Sequence, residues 1–230
     1  MSLPATPVSP ALRAGSRPSA RRFIGALLAS AVWSACAALA SSGSVAATAG
    51  EELKIGRPAP DFTATDSDGK VRRLADYLGK IVVLEWTNAD CPYTRKHYSS
   101  GNMQSLQELA RQRGVIWMSV ISSAPGKQGY VSGAEANALS QSRHAVPTAV
   151  LLDPSGDLGR LYHAKTTPHL FVIDARGDLQ YMGGIDSLAT PEVADIQHAE
   201  PFLREALLAV ADDKPVAHPI TRPYGCSVKY

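Results

Sequence analysis

Cys91 and Cys226 are the residues best equipped for chemistry in this chain. Cys91 is followed by Pro92 and comes shortly after Ile81–Trp86, a near-continuous apolar, β-branched run. Such a run reads as a central strand buried on both faces. Thr87 to Asp90 makes a short loop, and proline suits the first position of a helix, so Cys91 stands at a helix start. The free N–H groups and macrodipole there favour an anion and draw a thiol below its free value of about 8.5. Arg95, Lys96 and His97 follow within two turns and add positive potential. The expected chemistry is attack by a thiolate. A buried structural cysteine is the competing interpretation, but strand–loop–Cys–Pro–helix is not a core pattern.

The N-terminus bears on what other thiols are available. Arg13, Arg17, Arg21 and Arg22 precede an apolar run from Phe23 to Ala40, and a small-residue stretch ends in Ala47-Thr48-Ala49. Basic, apolar and A-x-A regions in that order read as a secretory signal peptide over residues 1–49. The alternative, a retained anchor, fits less well because the run is rich in Ala, Ser and Gly. Cleavage removes Cys36 and leaves Cys91 and Cys226, 135 positions apart. The expected location is periplasmic or secreted, with no stable membrane insertion after processing. There, two cysteines form one disulfide, a reactive pair or two bystanders.

The whole chain carries 23 basic and 21 acidic residues; without the four leader arginines it holds 19 against 21, a net of −2. With no basic stripe and no interleaving of aromatic and basic residues, nucleic acid is not an expected partner. No metal or other cofactor is expected either. Cys91, His97 and Met103 form a poor soft-metal site, a single thiolate with scattered His and Met.

Residues 50–60, interrupted by Pro58 and Pro60, read as a linker. The domain spans 61–212. It begins with a hairpin around Asp66-Ser67-Asp68-Gly69, followed by the Ile81–Trp86 strand. Met103, Leu106, Leu109 and Ala110 recur at helical spacing, so one helix is expected from Cys91-Pro92 to Gly114. A strand over Val115–Ile121 comes next, then a helix opened by the Ser132/Glu135 capping box and a strand over Thr148–Leu152. A hairpin over Leu170–Met182 and an amphipathic helix ending near Ala211 close the domain. Strands alternating with helices imply an α/β domain of three layers with a mixed sheet. Residues 213–230 form a Cys-containing tail too rich in proline for a helix.

The stretch from Ile81 to Cys91, the segment Tyr162 to Asp174 and the turn Ala175-Arg176-Gly177-Asp178 together resemble the redoxin branch of the thioredoxin superfamily. That branch holds the alkyl hydroperoxide reductase/thiol-specific antioxidant (AhpC/TSA) proteins and exported disulfide reductases. The Cys91-Pro92-Tyr93 element and the ending Gly225-Cys226-Ser227-Val228-Lys229-Tyr230 are similar to a peroxiredoxin-like group within it. The resemblance implies a thioredoxin-like α/β/α sandwich over essentially all of the chain after the leader. It also implies that Pro168 is a cis-proline facing the active cysteine, with Thr167 offering its backbone to substrate. Glu85, six residues before Cys91, matches a buried carboxylate that accepts a proton in thioredoxins; an ordinary solvent-facing strand residue is the other interpretation.

Two departures matter. Thioredoxins place a second cysteine three residues after the first, and here Thr94 stands there, which rules out a local dithiol. Typical peroxiredoxins carry threonine three residues before the reactive cysteine and proline seven before; Asn88 and Leu84 take those positions.

The leading expectation is an exported thiol oxidoreductase reducing peroxide through Cys91, supported by Arg95 and Glu85. A thiol–disulfide reductase acting on exported proteins is the alternative, and a non-catalytic binding module is the rival of another class. The partners implied are a peroxide or disulfide substrate and an external thiol or thioredoxin-like electron donor. Folding back of the tail would let Cys226 pair with Cys91; pairing between chains and simple burial stand beside that expectation.

Overall fold

The computed structural model describes residues 52–230; the expected leader lies outside them. Strands β1 (Thr63–Asp66) and β2 (Val71–Arg73) form the opening hairpin, and β3 (Val82–Trp86) is the central strand. Helices α1 (Pro92–Ser99) and α2 (Asn102–Gln112) lead to β4 (Ile116–Ile121), then α3 (Gly133–Ser142), β5 (Ala149–Leu152) and α4 (Asp157–Leu161). The short β6 (Thr166–Thr167) precedes β7 (His169–Ile173) and β8 (Leu179–Gly183); α5 (Phe202–Ala211) and β9 (Cys226–Ser227) complete the chain.

The sheet order is β2-β1-β5-β4-β3-β7-β8. β3, β4 and β5 run parallel, while β1 and β7 join them antiparallel, giving a mixed sheet. Successive strand residues point to opposite faces, and both faces of β3 are buried. Val82, Leu84 and Trp86 pack with Phe171, Leu158 and Tyr162 on one side. On the other, Val83 packs with Trp117, Met103, Leu106 and Leu207. Burying each large side chain of this kind contributes roughly 1.5–3 kcal/mol, which is why the strand could afford no alternation of polar residues. The result is a thioredoxin-like sandwich. Among the described residues no helix is long and apolar enough to cross a membrane.

Two details differ from the sequence expectation. The helix expected from Cys91 to Gly114 is two helices, because Ser100 ends α1 and Gly101 takes φ 76°, a left-handed turn that glycine adopts at little cost. The segment read as a linker is packed: Gly56 donates to the Leu179 carbonyl at 2.7 Å, and Leu53 and Ile55 touch the core. The tail crosses the domain as an extended strap, and its strand β9 pairs antiparallel with β6, Thr167 opposite Cys226.

Candidate redox site

The site lies where β3 ends and α1 begins. Cys91 is the N-cap of α1, with Pro92 at the first helical position. The Thr167–Pro168 bond is cis, as the resemblance implies, and it places the Thr167 carbonyl oxygen 3.0 Å from the Cys91 sulfur. The tail closes the site from above, where the Cys226 N–H donates to that sulfur at 3.4 Å. Both cysteines are free thiols. Cys91 is wholly buried and Cys226 is partly exposed. Gly225 makes this approach possible, since any Cβ there would collide with the Thr167 carbonyl.

The two thiols titrate in opposite directions. Burial alone pushes Cys91 up. The Cys226 thiol, the Thr94 N–H in the first helical turn, the Thr167 side chain and the Cys226 N–H more than offset it, holding Cys91 below its ordinary range. Cys226 is pushed up to about 11 by burial and by the neighbouring Cys91. The pair is therefore asymmetric, Cys91 giving up its proton more readily than Cys226, which suits disulfide chemistry.

The charges expected around Cys91 are placed differently. Arg95 is exposed, and its charge acts on Cys226 together with that of Lys229. Lys96 is buried, 3.6 Å from Asp186 and donating to the Leu188 carbonyl at 3.1 Å. His97 is buried beside the Tyr224 hydroxyl (3.2 Å), which itself donates to Asp186. Burial lowers the His97 pKa to about 4, Asp186 opposing and Lys96 assisting, so His97 is neutral and adds no positive potential near pH 7. This cluster ties α1, which carries Cys91, to the tail two residues before Cys226. Nothing in the sequence marked Asp186 or Tyr224 for that role, because an isolated acid in a loop and a tyrosine in a tail have no pattern.

Glu85 is fully buried, which removes the solvent-facing interpretation. Its carboxylate accepts hydrogen bonds from Trp117 Nε1 (2.8 Å), Ser119 Oγ (2.9 Å), Tyr98 Oη (2.9 Å) and Gln107 Nε2 (3.5 Å). Burial nonetheless pushes its pKa up. The structure makes Glu85 the hub of its own network and brings it into no hydrogen bond with Cys91. Among the described residues no group of three or more His, Cys, Asp or Glu is placed to hold a metal ion.

The buried histidines carry a pH dependence. His169, beside the cis-proline, is lowered to about 3 by burial, with Lys165 adding to the effect. Both His97 and His169 bind protons more weakly when folded than when unfolded, where histidine titrates near about 6.5. Their contribution to stability is whole above that value and is lost as pH falls toward 4. The urea midpoint should drop between pH 7 and 4.5, and His169→Gln should flatten the drop. A midpoint constant over that range would contradict the assignment.

The chain is similar to proteins of known sequence and structure. A thiol-disulfide oxidoreductase, ResA, from Geobacillus kaustophilus is 27% identical over 135 residues, covering 56% of this chain and 68% of that protein. An uncharacterized conserved protein of G. kaustophilus superposes with a TM-score of 0.65 at 22% identity, over 78% of this chain and 94% of its own. A hypothetical protein of Sinorhizobium meliloti 1021 gives 0.65 at 20% identity, over 78% and 96%. The two solved structures share the fold, and the ResA relative indicates a thiol-dependent oxidoreductase. The AhpC/TSA family model matches residues 55–182, more than half of the chain and inclusive of Cys91 and the cis-proline segment: this chain belongs to the AhpC/TSA family.

Proposed function

We propose that the chain is a thiol–disulfide oxidoreductase whose redox couple is the Cys91–Cys226 pair. Two thiols become one internal disulfide as a partner's disulfide is reduced to two thiols, and the cycle runs in reverse with a partner dithiol. The observation that carries this reading is the contact between the Cys226 N–H and the Cys91 sulfur at 3.4 Å, held by the β6–β9 register. The two thiols also act directly on one another, and closing them into a bridge requires their Cα atoms to come within about 7 Å. The tail thus supplies the second thiol that Thr94 does not. The ResA relative favours a disulfide over a peroxide as the reacting group. Mild oxidation followed by non-reducing peptide mapping should recover one peptide joining Cys91 to Cys226. Two unmodified thiols after oxidation would sink the proposal.

Peroxide reduction is the second reading, supported by membership of the AhpC/TSA family. There Cys91 would become a sulfenic acid and Cys226 would resolve it with loss of water. Stopped-flow oxidation of the reduced protein by peroxide and by a model disulfide separates the two by which reacts faster.

Export belongs to the same proposal, since an oxidising compartment suits a disulfide couple. Protein from the envelope fraction should begin near Gly50, or near Ala47 if an earlier site is used. An intact N-terminus in the cytoplasm would exclude it.

A further inference from the structure

We propose that Cys226, not Cys91, is the sulfur that exchange partners meet, with Cys91 serving as the internal leaving group and internal nucleophile. This rests on the disulfide-exchange reading and assigns the order of events within it.

Access is the first observation. Cys91 has no exposed surface, whereas Cys226 is partly exposed in the strap that covers it. The strap is fastened along its length, so lifting it is costly. Before Cys226, the Thr221 N–H donates to the Met182 carbonyl and Pro219's carbonyl receives the Met182 N–H; Tyr224 donates to Asp186. After it, the Val228 N–H donates to Lys165 (3.1 Å), the Lys229 carbonyl accepts from Ala124 (2.9 Å), and the Tyr230 hydroxyl donates to Ala164 (2.9 Å). The Thr167 backbone that the resemblance reserves for substrate is occupied by this chain's own Cys226.

Leaving-group chemistry is the second. Exchange is faster when the departing thiol is the better-stabilised thiolate. The Cys226 N–H and the start of α1 stabilise negative charge on Cys91. The sulfur of Cys226 has no equivalent helix start behind it. Arg95 and Lys229 bring positive charge to Cys226, which favours an incoming thiolate at that sulfur.

The step balances as follows. A partner thiolate attacks the Cys226 sulfur of the internal disulfide; the S–S bond breaks and its electron pair leaves on Cys91. A mixed disulfide now joins the partner to Cys226. The partner's second thiolate attacks its own sulfur in that bond and releases Cys226, which takes up a proton. The partner has lost two electrons and this chain has gained two. In the opposite direction Cys226 gives up its proton to solvent and attacks the partner's disulfide, expelling one partner thiolate; the Cys91 thiolate then attacks the Cys226 sulfur of the mixed disulfide, closing the internal bond and releasing the second partner thiolate.

The test uses the oxidised full-length mature protein and a monothiol, N-acetylcysteine, in excess. The reaction is quenched in acid within milliseconds, free thiols are blocked under denaturing conditions, and the adduct is mapped. The proposal expects N-acetylcysteine on Cys226 at about tenfold or greater excess over Cys91, with Cys91 recovered as the blocked thiol. Adduct mainly on Cys91, from a protein that did contain the internal bridge, overturns this assignment and leaves the exchange reading standing. Absence of the bridge before thiol addition overturns both.

Discussion

Cys91→Ser lowers thiol–disulfide exchange by about 100-fold or more, because it removes both the stabilised leaving group of the internal disulfide and the thiolate that closes it. The physical cause is the asymmetry of the pair. Cys226 is pushed up to about 11 by burial and by its neighbour, whereas Cys91 is held below its usual range by the donors that face it. The wild-type protein should show a thiolate absorbance step at 240 nm with a midpoint below about 8.5, and that step should vanish in Cys91→Ser. The serine hydroxyl still reaches the Thr167 carbonyl, so the thermal midpoint should move by only a few degrees. Exchange at the wild-type rate in this variant would place the chemistry on another residue.

Glu85→Ala has the largest expected effect on stability, a loss of about 3 kcal/mol or more. Each buried donor left without an acceptor costs about 1–3 kcal/mol, and Trp117, Ser119 and Tyr98 all donate to this carboxylate. In a chain of this size that corresponds to a fall of roughly 6–12 °C in the thermal midpoint. Glu85→Gln preserves volume and one acceptor oxygen and should lose about half as much or less. The comparison also separates two roles. If Glu85 only holds the core, Glu85→Gln leaves the pH profile of exchange unchanged. If it accepts a proton on behalf of Cys91, as the thioredoxin resemblance implies, the profile shifts while the fold persists. A thermal midpoint within a degree of wild type for Glu85→Ala would remove the structural account.

Local sequence determined the parts of this protein that local physics controls. The apolar run Val82–Trp86 had to be a strand covered on both faces, since no alternation leaves a polar face for water. Cys91-Pro92 after it had to begin a helix, and Ser132 with Glu135 closes the capping box as read, the Glu135 carboxylate accepting the Ser132 N–H at 2.7 Å. Gly101 was the exception, a helix break hidden by good helical spacing on either side of it. Tertiary structure decided what depends on contacts between distant segments. Whether Glu85 faced water or core depended on Trp117 and Ser119 in another strand. Lys96 and His97 looked like an aid to the thiolate, but Asp186 and Tyr224 draw them into a separate buried cluster. The position of Cys226 depended on a strap whose fastening points are scattered from Ala124 to Asp186. Periodicity and capping act over a few residues, so they appear in sequence; a contact between residues 135 positions apart exists only once the intervening chain has folded.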